Sequence, residues 1–145
     1  MKLNIIRDPG CREMEVTLRH APEDPTARRL THCLNQFSLV LDGWDGEECC
    51  RVLAGDILYL ETVDRKTFLY LERKILRSRE SLGALERRLE GTAFTRVSKN
   101  CLLNTDRLRS VRALLNHRME ATMENGEKIL VARTYLQNLR DKIRG

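Results

Sequence analysis

Two alternating runs, Arg118–Met123 and Lys128–Val131, stand on either side of Glu124-Asn125-Gly126-Glu127. An Asn-Gly pair between such runs is the strongest hairpin signal a short stretch carries, because glycine enters the left-handed region without a Cβ penalty. This commits the chain's C-terminal part to antiparallel pairing. Similar short runs recur upstream at close spacing. Glu47–Leu53 reads as a strand, and Ala54-Gly55-Asp56 turns into a strand over Ile57–Glu61. A polar connection, Val63-Asp64-Arg65-Lys66-Thr67, leads to Phe68–Leu71, and Lys74–Leu76 adds another strand. One helix interrupts the series: Ser81 suits an N-cap, Leu82, Leu85 and Leu89 share a face, and Gly91 stands where a C′ glycine belongs. After Leu108–Leu115, with Val111 and Leu115 as its apolar positions, and the hairpin, Thr134–Ile143 closes the chain as a short helix. Its Leu136 and Leu139 face inward, and Arg140, Lys142 and Arg144 face outward. The pattern predicts a mainly β fold of small antiparallel sheets packed together with short helices. No pair of amphipathic helices flanks a three- or four-residue turn, so a helix-turn-helix is not expected.

Residues 1–46 read as a small strand-helix-strand unit of their own, and residues 47–145 as the main domain. Lys2–Ile6 is a strand candidate ended by Asp8-Pro9-Gly10. Over Glu13–Arg19, Met14, Val16 and Leu18 alternate with Glu15, Thr17 and Arg19, the signature of a half-buried strand. Asp24-Pro25 opens a helix running to about Asn35, with Ala27, Leu30 and Leu34 at helical spacing. Phe37, Leu39 and Leu41 resume alternation before a boundary at Asp42-Gly43-Trp44-Asp45-Gly46. Packing or dimerisation is the expected role of this unit.

Charge separates the two parts. The net charge is +5, but residues 1–46 hold six basic against seven acidic side chains, so the excess lies beyond them. Within Arg96–Arg118 six basic residues meet one acid, Asp106. Charge so concentrated points to a polyanion as partner. Five cysteines, Cys11, Cys33, Cys49, Cys50 and Cys101, include an adjacent pair and no C-x-x-C spacing. Free thiols in a reducing cytoplasm are expected, with neither a disulfide framework nor a metal site. No stretch has the length and apolarity of a membrane span, and no signal peptide is visible. His20, His32 and His117 are scattered without nucleophile partners, and no glycine-rich phosphate loop is present, so neither an enzyme nor a cofactor is expected.

Phe94-Thr95-Arg96-Val97-Ser98-Lys99-Asn100-Cys101-Leu102-Leu103-Asn104 starts as a strand, breaks into polar residues and resumes as an apolar run. A basic loop between core-anchored segments can present donors to a polyanion. The stretch resembles the signature of the LytTR family of bacterial DNA-binding domains, Phe-x-Arg-x-[His/Ser]-[Arg/Lys]-Ser-aromatic-x-Val-Asn. Three further stretches resemble that family in order. Gly55–Glu61 is similar to its opening strand, Ser81–Leu89 to its helix, and Asn125–Tyr135 to its closing hairpin and helix. The resemblance covers residues 47–145 and is greatest to stand-alone members, which lack a receiver domain.

The resemblance implies an all-β arrangement whose inter-strand loops enter successive major grooves of double-stranded DNA, usually as a homodimer on paired half-sites. It further implies a transcriptional regulator that can act with a small membrane protein. Carried over by position, Arg65 and Lys66, then Ser98, Lys99 and Asn100, and finally Arg133 face DNA. Lys99 and Asn100 suit base edges, and Arg96 and Ser98 suit phosphate. Four positions depart from the family. Asn100 replaces a common Ser, Cys101 an aromatic or β-branched residue, Ala132 a frequent Ser, and His117 a turn glycine or polar residue. Cys101 reads as a buried thiol, a redox switch being the alternative. For the whole chain the alternative function is a protein-interaction or nonspecific nucleic-acid-binding module using the basic face.

Overall fold

The computed structural model describes residues 1–144. Helix α1 (Pro25–Phe37) begins where Asp24 accepts the Thr26 N–H at 2.9 Å, with Pro25 in the first turn. Strands β1 (Val40–Asp45) and β2 (Glu48–Leu53) form a hairpin in unbroken register from Val40↔Leu53 to Asp45↔Glu48. A single 3-10 turn, Ala54–Asp56, leads into β3 (Tyr59–Val63), β4 (Lys66–Tyr70) and β5 (Ile75–Ser78). Helix α2 (Leu82–Arg88) is capped by the Ser81 hydroxyl, which accepts the Ala84 N–H at 3.1 Å. Gly91 follows at φ +77°, a conformation that penalises a side chain. Next come β6 (Phe94–Ser98), β7 (Cys101–Asn104), β8 (Leu108–Ala113), β9 (Met119–Met123), β10 (Lys128–Val131) and α3 (Leu136–Arg144).

The strands make two antiparallel sheets, one ordered β2-β1-β5-β4-β3-β7-β6 and one ordered β10-β9-β8. One core joins Leu82 and Leu85 of α2, and Leu89 just after it, to Leu41, Leu60, Leu69, Leu76 and Leu102 of the large sheet. Gly43 belongs to that seam: a Cβ there would stand 2.9 Å from the Leu76 Cβ, so only glycine lets β1 lie this close. A second core joins Leu58, Val97 and Leu103 to Ala121, Met123 and Val131 of the small sheet and Leu139 of α3. The Tyr59 and Tyr70 rings stack there with centroids 4.2 Å apart. Between α1 and the α2–β6 connection the contacts are polar. The buried Gln36 side chain accepts the Ala93 N–H at 2.6 Å, and Asn35 donates to the Gly91 carbonyl at 2.7 Å.

The mainly β architecture agrees with the reading of the sequence, and so do the Asn125-Gly126 hairpin and the α2 boundaries. Residues 1–46 differ. Lys2–Ile6 and Glu13–Arg19 are irregular and exposed rather than strands, because neither lies beside a strand with which to hydrogen-bond. The boundary expected at Gly46 falls at the tip of the β1–β2 hairpin, and β1 sits between β2 and β5 inside the large sheet. The strand-helix-strand unit is therefore absent as such: a helix remains, and its following strand belongs to the main sheet. Val111 and Leu115 point outward, 41% and 87% exposed, since β8 is an edge strand and Leu115 lies in the loop beyond it. Lys142 turns in, its Nζ donating to the Thr92 carbonyl at 3.0 Å.

Candidate nucleic-acid interface

The tip of the β6–β7 hairpin is held by its neighbours through main-chain atoms. Arg96 and Leu102 are paired, then Ser98 and Cys101, with the register shift between them accommodated at Val97. The Lys99 carbonyl accepts from the Arg96 guanidinium at 2.5 Å, and the Asn100 carbonyl accepts the Thr62 N–H at 2.9 Å. Ser98 turns its hydroxyl inward to accept the Asn100 N–H at 3.3 Å. With both carbonyls engaged, the Lys99 and Asn100 side chains are left exposed on a braced backbone. Bracing of this kind lowers the entropy lost when a loop is ordered against a ligand.

Thr62 belongs to the next hairpin. β3 and β4 are joined by Asp64 and Arg65 alone, Val63 pairing with Lys66. Both linking residues have positive φ, +51° and +65°, as a two-residue turn matching strand twist requires. Arg65 carries a Cβ in a region that disfavours one by about 1–2 kcal/mol. Such an outlier is a reason to look for a role for its guanidinium. Because Glu61 pairs with Cys101, the Asp64–Arg65 turn and the Lys99–Asn100 tip project from the same end of the sheet.

Arg133 is brought to this end by its predecessor: the Ala132 N–H donates to the Val97 carbonyl at 2.8 Å, one residue before Ser98. Arg65, Lys66, Lys99 and Arg133 are all exposed, and among the described residues none of the four forms an ion pair. Six of the seven sequence-predicted residues thus lie on three neighbouring segments, with Ser98 acting within its own loop.

Arg96 is the correction. Its Nε and second amino group donate to the two Glu86 carboxylate oxygens at 3.2 and 2.9 Å, while its remaining nitrogen holds the Lys99 carbonyl. The side chain is 17% exposed, and the Glu86 bonds stabilise its charge, raising its pKa further. A guanidinium so occupied positions the loop and is not a free phosphate donor. Reading the sequence also missed the loop from Leu114 to Arg118. Val131 pairs with Met119, so this loop lies beside the end of β10, close in the chain to Arg133. Asn116 and His117 have φ of +63° and +57°, which explains why a glycine would suit the place where His117 departs from the family. Arg118 and Asn116 are exposed there and offer further donors.

Cys101 is 3% exposed, and burial pushes its thiol up to about 12, with Glu61 adding to the rise and Arg96 opposing it. The buried-thiol reading holds against the redox switch, since the thiolate is the reactive form. The folded pKa lies above the ordinary value of 9.0, so the folded chain retains the proton that the unfolded chain loses. This contribution to stability is full below about pH 9 and is lost as pH rises towards 12. Replacing Cys101 by Val should flatten the alkaline fall in stability measured by urea unfolding between pH 9 and 11, and an unchanged slope would contradict the assignment. Among the described residues, no group of three or more His, Cys, Asp or Glu side chains could hold a metal ion. No helix among them is long and apolar enough to cross a membrane.

Comparison with known proteins places this geometry among relatives. The sequence profile of the LytTr DNA-binding domain matches residues 47–144. The sensory transduction protein LytT of Enterococcus faecalis is 22% identical over 99 residues, covering 68% of this chain and 41% of that protein. LytT of Bacillus cereus is 28% identical over 89 residues, covering 61% of this chain and 36% of the relative. The chain therefore spans about two fifths of the length of the curated relatives it matches. A solved LytTr DNA-binding domain from Bacillus cereus superposes with a TM-score of 0.68 at 22% identity. The match covers 72% of this chain and 95% of that domain.

Proposed function

This chain belongs to the LytTr DNA-binding domain family, and from that membership we propose that it is a sequence-specific, duplex-DNA-binding transcriptional regulator. It inserts the Asp64–Lys66, Ser98–Asn100 and Arg133 segments into the major groove. The observation that carries this reading is the convergence of those segments on one end of the large sheet, with four cations that form no ion pair among the described residues. Arg and Lys donate to guanine O6 and N7, and Asn pairs with the adenine edge. Arg96 serves indirectly by fixing the Lys99 carbonyl. The chain acts as a homodimer on paired half-sites, since the loops of one copy reach only a short stretch of duplex. Its five cysteines, all unpaired, suit a reducing cytoplasm.

Selection from a random duplex pool tests the proposal. Two similar half-sites about one helical turn apart are the expected product. Affinity for the selected site should fall with salt, log K against log salt having a slope of about −3.6 for four phosphate contacts. No enrichment of any sequence would reject specific DNA binding and favour an acidic protein as the partner of the basic face.

A further inference from the structure

We propose that the first two dozen residues form an intermolecular β-sheet with the same segment of a second copy, holding the chain as a two-fold dimer. Leu3, Ile5 and Ile6 are 78%, 81% and 85% exposed, and Met14 and Val16 are 83% and 58% exposed. Soluble chains scatter exposed apolar side chains singly, whereas here Leu3 and Ile5, and Met14, Val16 and Leu18, recur with strand periodicity on an unpaired backbone. The turn that would join two strands is already closed. The Cys11 N–H donates to the Asp8 carbonyl at 3.1 Å, and the Gly10 N–H to the Asp8 carboxylate at 2.9 Å. Folding back across this turn with Ile5 opposite Met14 sets Leu3 opposite Val16 and Met1 opposite Leu18. All six then share one face, with Lys2, Asn4, Ile6, Glu13, Glu15 and Thr17 on the other.

Charge identifies the occupant as a second copy. An antiparallel pairing of Glu13–Arg19 with its own copy, centred on Val16, places Glu13 opposite Arg19 at both ends. Met14 then meets Leu18, and Val16 meets Val16. Opposite charges and apolar pairs directly across antiparallel strands stabilise the pairing, and like charges oppose it. A parallel alignment stacks glutamate on glutamate. Centring on Glu15 sets two carboxylates face to face, and centring on Thr17 leaves Met14 opposite His20. Of these registers, the Val16 centre is the one that pairs opposite charges and apolar side chains, with Glu15 opposite the neutral Thr17. The resulting sheet has four strands, enough for stability where one isolated hairpin is marginal. The first 24 residues carry four basic and five acidic side chains, so two copies approach without strong repulsion.

The inference deepens the dimer within the DNA-binding proposal and is read without DNA, so the two fail separately. Light scattering on the full chain should give a dimer. Glu13→Arg and Arg19→Glu should each weaken dimerisation at least tenfold, and the double swap should restore it. Val16→Cys should yield a disulfide-linked dimer on mild oxidation, above the background of the unaltered chain. A monomeric wild type, a double swap that stays monomeric, or no Val16→Cys cross-link would overturn the pairing. Binding of a single half-site duplex by the Glu13→Arg monomer should match wild type. Failure of the wild-type dimer to bind any selected site would sink the DNA reading and leave the arm pairing standing.

Discussion

A chain carrying Lys99→Ala together with Arg133→Ala is expected to bind its selected duplex more weakly by about 2–6 kcal/mol, each residue contributing about 1–3 kcal/mol if it reads a base edge. The two side chains sit on different segments, one at a hairpin tip and one after β10, and share no bonded partner, so their effects should add. Both are exposed and neither forms an ion pair among the described residues, so the fold should survive and the circular dichroism spectrum should be unchanged. The sharper measurement is the comparison with random duplex. On random duplex, where the cations meet phosphate alone, removing two of four should take the salt slope from about −3.6 to about −1.8, with a smaller loss of affinity at moderate salt. Equal losses on selected and random DNA would mean that both residues grip phosphate only. No loss on either would show that this end of the sheet is not the interface.

Asn104→Ala should act on stability instead. Asn104 is fully buried at the opposite end of β7 from the hairpin tip. Its side-chain amide donates to the Ile57 carbonyl at 2.8 Å, and its side-chain oxygen accepts the Asp106 N–H at 3.1 Å. Its own N–H donates to the Leu58 carbonyl at 3.0 Å, so one residue ties the start of β3 to the end of β7. Truncation leaves two main-chain groups without partners, each costing about 1–3 kcal/mol, for a total of about 2–6 kcal/mol. In a domain of this length that corresponds to a melting temperature about 10 °C lower. Affinity of the folded chain for DNA should not change. A loss of stability under about 1 kcal/mol would mean that water replaces the amide and that the site is less closed than its burial indicates.

Local chemistry was legible in the sequence wherever it was self-contained. Ser81 and Gly91 delimit α2 because a hydroxyl cap and a left-handed glycine act within one turn of the helix. Asn125 and Gly126 set the β9–β10 hairpin for the same reason. Lys66, Lys99 and Arg133 were placed by position through the family resemblance, and each is exposed. What failed depended on a partner distant in the chain. Arg96 was expected at phosphate because nothing in its own stretch reveals Glu86, which α2 presents from the face of the sheet on which it packs. Lys142 was expected outward because the Thr92 carbonyl that receives it is fifty residues away. The boundary at Gly46 was drawn where turn residues cluster, yet a cluster of turn residues marks a hairpin tip as readily as a domain border. Glu13–Arg19 has the alternation of a strand, but a pattern reports a wish for a neighbour and not its presence.

The position of β1 has a consequence for modularity. The family profile begins at Glu47, after β1 has ended, yet β1 is the strand through which β2 reaches the rest of the sheet. Cutting this chain at the family border would strand β2 as an orphan ribbon, uncover Leu76 and Leu69 where Gly43 now lies against them, and open an unpaired edge on β5. The recognition unit is not severable at the point where its ancestry becomes detectable. Any graft of the proposed DNA-contacting surface onto another protein has to carry the donor's residues from Val40 onward.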